Sequence, residues 1–109
     1  MGWLLKGDKV LASLEIAEGT VARGKGLLGR KSIDGAMLLA KTNGVHSFGL
    51  RFEIDVAWLD ADHVVLGVKT MKKWRIAWPK RHTKSMLEAE AGAFERWGLQ
   101  VGDKLELGG

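Results

Sequence analysis

VHSFGLRFEIDVAWL, residues 45–59, decides how the chain is read. Valine, isoleucine, phenylalanine and tryptophan fill it, as they fill strands, and Arg51-Phe52-Glu53 divides it into strands over residues 45–50 and 54–59. A hairpin about that break would set His46 across the ladder from Asp55, an acid enclosed by Ile54, Val56 and Trp58. An ionised carboxylate in such a place must face solvent or find a cation or an N–H donor. Arg23, Arg30 and Arg51 are the candidate cations. The functional reading is a His–Asp or Arg–Asp constellation lining a pocket. The architectural reading has Asp55 accept loop N–H groups, or pair with an arginine to fix the turn. The residues favour architecture, because structural ion pairs gather acids and histidines as readily as active sites do.

Working outward, residues 3–5 and 10–16 are apolar on either side of Lys6-Gly7-Asp8-Lys9, which reads as a hairpin, although the imperfect alternation of VLASLEI also admits a helix. Residues 36–40 form a compact apolar strand that ends in the turn Lys41-Thr42-Asn43-Gly44. Asp60-Ala61-Asp62 turns the chain into a strand over 63–68. Residues 74–78 are a strand candidate cut off by Pro79, which suggests an edge or a loop, and Trp74, Ile76 and Trp78 alternate toward one buried face. Further strands cover 85–90 and 105–107. Thr20 caps a short helical turn through residue 23, beyond which Gly24 and Gly26 oppose a helix; residues 91–97 are helical, with Gly98 placed to end them. Many short strands with one brief helix near each end predict a mainly β protein. The expected architecture is a compact β-sandwich or jelly-roll-like barrel with one or two short helices, a single domain over residues 1–109.

Composition narrows the function classes. With 46% hydrophobic and 28% charged residues the chain is globular rather than disordered. It has no cysteine, which removes disulfides, thiolate nucleophiles and cysteine-bound zinc and fits a reducing compartment. Charges at Lys6, Asp8 and Lys9 interrupt the N-terminal apolar run too early for a signal peptide or a membrane span. A soluble, unanchored, cytoplasmic protein is expected. Residues 69–84 hold seven basic residues and no acid, so against a total of +4 the rest of the chain carries −3. Lys72, Lys73, Trp74, Arg75, Lys80 and Arg81 form a basic, tryptophan-bearing patch that suits nucleic acid or an acidic partner. The plainer reading is an edge strand protected by charge, and the alternation of Trp74, Ile76 and Trp78 supports it.

Four segments in order, ARGKGLLGR (22–30), GAMLL (35–39), VHSFGLRFEIDVAWLD (45–60) and LEAEAGAFERWGLQVGD (87–103), resemble the domain of unknown function 192 family. That family's pattern runs R-x-x-G-L-M-G-R, G-M-L-F, H-x-F-G-M-R-F-P-I-D-V-x-F-L-D, V-L-E-x-x-A-G and a closing G-D. The resemblance implies a small β-rich domain of sandwich, jelly-roll-like topology and implies no activity. The chain departs from the pattern at Leu28 and Leu50, where methionine is usual, and at Glu53, where proline is usual.

Other chemistry is poorly supported. Ser13, Ser32, Ser47 and Ser85 include no G-x-S-x-G elbow. His46, His63 and His82 are widely spaced without a metal motif, and Asp60-Ala61-Asp62-His63 lacks the other ligands of a calcium loop. GKGLLGRKS misses the phosphate-loop spacing. The leading expectation is a non-catalytic domain that binds a small polar ligand, anionic or carbohydrate, at Arg23, Arg30, His46, Arg51 and Asp55. It would use no cofactor and no metal. Nucleic-acid or acidic-partner binding by residues 69–84 is one alternative, and a hydrolase using His46 and Asp55 is the other.

Overall fold

The computed structural model describes residues 2–19 and 26–109. Strand β1 (Gly2–Lys6) and β2 (Lys9–Ala17) form the expected hairpin. β3 (Ala36–Ala40) runs parallel to β2, and β4 (Val45–His46) is a two-residue strand. β5 (Ile54–Leu59), β6 (Val65–Met71), β7 (Ile76–Ala77) and β8 (Ser85–Glu90) follow, then helix α1 (Ala93–Trp97) and β9 (Glu106–Gly108). Seven strands make one sheet in the order β6-β5-β8-β3-β2-β1-β9, while β4 and β7 pair as a separate ribbon. The mainly β expectation holds, with one short helix among the described residues. The expected turn at 20–23 lies outside them.

The sheet curls toward a barrel without closing. Its edges meet at a single bridge, Val64 to Lys104, supported by backbone bonds between residues 63–65 and 102–105. Side-chain alternation along the strands then defines two apolar layers. Leu38, Ala57, Leu59, Leu87 and Ala89 pack with Phe94 of α1 on one face. Met37, Leu39, Ile54, Val56, Trp58 and Met86 point the other way and are covered by Leu27, Ile33 and Leu50 from loops. Among the described residues no helix is long and apolar enough to cross a membrane.

Two expectations are corrected. The hairpin between 45–50 and 54–59 does not form. β5 is buried at all six positions and takes β6 on one side and β8 on the other, so neither edge is free for residues 45–50. Val45 and His46 pair with Ala77 and Ile76 instead, and the chain from Ser47 to Glu53 becomes a loop in which Gly49 takes φ 81°. The second correction concerns residues 74–78. Trp74 adopts the left-handed φ of 61°, which breaks the alternation, and only Ile76–Ala77 remains a strand. Trp74 and Trp78 are accordingly 65% and 69% exposed rather than packed inward.

Candidate functional site

β8 carries the sequence SMLEAE, and five of its six residues are buried. Period-two alternation puts Glu88 on the loop-covered face, directly opposite Met37 of β3 and Val56 of β5. Glu88 is only 4% exposed, and its Oε1 has no hydrogen-bond partner among the described residues. Burial pushes its carboxyl up from 4.5 to about 7. A buried, unpartnered oxygen is costly, on the order of 1–3 kcal/mol, so it marks a place where structure alone does not explain the residue.

Glu88 lines a cavity of about 150 Å³. Leu27, Leu39 and Leu50 give it apolar walls, and Thr42, His46 and Phe48 add polar and aromatic groups. Gly44 lets this wall close against the neighbouring chain. A Cβ there would lie 2.8 Å from the Ala77 carbonyl oxygen and 3.2 Å from the Pro79 nitrogen, and the residue takes φ 108°. The Phe48 backbone N–H donates to His46 Nδ1 at 3.2 Å, which leaves Nε2 as the ring nitrogen without that bond.

Outside the cavity the rings continue as a stack. His46 lies on Phe48 with centroids 4.9 Å apart, and Phe48 lies on Trp74 at 5.7 Å. Ser47, fully buried between them in sequence, holds this arrangement. Its hydroxyl donates to the Lys72 carbonyl at 2.7 Å and accepts the Arg75 N–H at 2.8 Å. Its backbone N–H donates to the Arg75 carbonyl at 2.8 Å, and its carbonyl accepts the Trp74 N–H at 3.4 Å. The turn at 72–75 is thus fastened to the loop that bears His46 and Phe48.

The residues singled out from the sequence do not meet as one cluster. Asp55 points to the opposite face of the sheet, where α1 lies. Its Oδ2 accepts the N–H groups of Gly92 and Phe94 at 3.0 and 3.1 Å, and its Oδ1 accepts the Thr70 hydroxyl at 2.6 Å. Gly92, at the N-cap of α1, has no side chain to satisfy those donors, so a strand residue does so. His46 and Asp55 therefore form no dyad; the sheet separates them. Arg30 makes a two-point bond to Glu15 at 3.0 and 2.8 Å, which lowers the Glu15 carboxyl and raises the Arg30 guanidinium. Arg51 is exposed in the loop before β5, and Arg23 lies outside the described residues. Lys72, Lys73, Trp74, Arg75, Lys80 and Arg81 are all exposed, in the segments that flank β7. No group of three or more acids and histidines among the described residues is placed to hold a metal ion.

Glu88 and Ser47 were the residues that sequence reasoning passed over. The signal for Glu88 was an acid in phase with Met86 on an apolar strand, at the glutamate of the V-L-E pattern. In the sequence Ser47 stands out only as a candidate nucleophile.

An open, curled, mainly β sheet with a small loop-covered pocket on one face defines the class of domain. The chain belongs to the domain of unknown function 192 family, whose model, described as an uncharacterized ACR, matches residues 4–107. It is 32% identical over 106 residues to a UPF0127 protein of Pyrococcus furiosus, a match covering 93% of this chain and 91% of that one. A UPF0127 protein of Thermococcus kodakarensis is 30% identical over 104 residues, and the match spans 66% of its length. Two solved structures share the fold. A protein of unknown function from Novosphingobium aromaticivorans superposes with a TM-score of 0.82 at 17% identity, covering 96% of this chain and 82% of that one. A structure titled a putative transcription regulator, from Sinorhizobium meliloti, gives 0.82 at 20% identity, covering 96% and 90%.

Proposed function

We propose that this protein is a non-catalytic binding domain whose pocket takes one ring of a small, uncharged, polyhydroxylated ligand of the carbohydrate class. The observation that carries this reading is the Oε1 of Glu88, buried in a cavity of about 150 Å³ with no hydrogen-bond partner among the described residues. A cavity of roughly that volume accommodates about one six-membered ring. Hydroxyl donors would satisfy the buried oxygen, and the leucine walls suit the apolar face of a sugar. An anion is disfavoured, because it would meet an acid that ionises near neutrality and that has no cation paired with it among the described residues. Thr42 and His46 stand where they would orient the remaining hydroxyls.

The test is a set of amide chemical-shift titrations with neutral monosaccharides, and with sugar phosphates for comparison. Neutral sugars should perturb Thr42, His46 and Phe48, and Glu88→Leu should abolish the effect while leaving the fold intact. Perturbation by sugar phosphates alone, or undiminished sugar binding in Glu88→Leu, would contradict the reading.

A further inference from the structure

Seven cations between Lys69 and Lys84 are exposed, and none of them enters an ion pair among the described residues. No acid lies in that stretch. Amid this charge Trp74 is held 65% exposed in a left-handed backbone conformation that a bulky residue rarely adopts. The conformation is imposed by the buried Ser47, which holds the backbone on both sides of Trp74. Phe48 stacks against the indole with centroids 5.7 Å apart, which backs a flat ring that stays 65% exposed. Trp78, 69% exposed, stands beyond β7, where its carbonyl accepts the Trp58 indole N–H at 2.9 Å.

We propose that this surface, from Phe48 and Trp74 across to Arg81, is a binding platform for single-stranded nucleic acid. Bases would stack on the exposed indole while the lysines and arginines meet phosphates, the combination by which sequence-tolerant single-strand binders work. Clustered positive charge with no acid paired to it among the described residues selects a polyanion. The pre-set stacking face selects one with planar rings, which acidic peptides and lipid headgroups do not supply. Duplex bases are already stacked, so their faces are closed to Trp74. The proposal stands independently of what the pocket binds.

Fluorescence anisotropy with labelled oligouridylate and oligothymidylate of about 12 nucleotides tests it, as such lengths span typical single-strand sites. Binding should weaken about 50-fold between about 50 and about 200 mM salt if roughly four phosphates are neutralised. Trp74→Ala, which keeps every cation, should weaken it ~10-fold, and Trp74→Phe should restore most of the loss. Replacing Lys72 and Lys73 with Glu should flatten the salt dependence. Melting curves establish that each variant is folded. Absence of binding at low salt, or binding to heparin and oligonucleotides alike with no effect of Trp74→Ala, would overturn the proposal. So would binding to anionic vesicles or to duplex in preference to single strands.

Discussion

Asp55 on β5 caps the helix that carries Phe94, its Oδ2 accepting the Phe94 N–H at 3.1 Å from 39 residues away in sequence. The acid in the most apolar stretch of the chain is therefore bound up in joining sheet to helix. It is 3% exposed, and three donors converge on its two oxygens.

Asp55→Ala should cost roughly 2–4 kcal/mol in urea unfolding, since it strands helix-end N–H groups in a buried setting. Asp55→Asn, which keeps one acceptor oxygen, should cost clearly less. Equal stability of Asp55→Ala and wild type would remove the capping role.

Burial of Glu88 makes stability depend on pH in a defined direction. The unfolded carboxyl loses its proton near 4.5, whereas the folded one keeps it to about 7. Between those values the folded state binds the extra proton, so stability falls as pH rises from 4.5 through 7. The loss from this group is at most about 3 kcal/mol. Glu88→Gln, neutral throughout, should match wild type near pH 5 and exceed it near pH 9 in parallel urea titrations. A variant less stable than wild type at the higher pH would oppose this.

Much of the scaffold was legible because its signals are local. The β1–β2 hairpin, β3, β5, β8 and the helix ended by Gly98 all follow from apolar runs and turn residues close by in sequence. What failed was pairing over distance. The break at residues 51–53 looked like a hairpin turn, yet a strand buried on both faces needs two strand neighbours, and those came from 65–71 and 85–90. The alternation of Trp74, Ile76 and Trp78 misled for a different reason. One positive φ at Trp74, imposed by a serine 27 positions earlier, rotates the pattern away from the core. Glu88 was hidden because its face depends on which strands flank β8.

Ser47→Ala should cost about 1–3 kcal/mol, because it leaves the Lys72 carbonyl and Arg75 N–H without their partner. It should also release Trp74 from Phe48. Thermal melts give the first quantity, and faster acrylamide quenching of indole fluorescence in a variant retaining only Trp74 gives the second. Quenching unchanged by the substitution would count against the clamp.

Arg30→Ala should change stability by less than about 1 kcal/mol despite its two short bonds to Glu15, since both side chains are substantially exposed and water screens the pair. Denaturation at low and high salt should show that small difference shrinking further as salt rises. A loss of several kcal/mol would mean that Arg30 supports more than its contact with Glu15.

The central claim is that Glu88, not Asp55, is the acid held ready for a ligand. Carbon-13 NMR titration of the Glu88 carboxyl, alone and with a saturating neutral monosaccharide, tests it most directly. A midpoint near 7 that moves when the sugar is added is the expected result. A midpoint near 4.5 that the sugar leaves unchanged would contradict it.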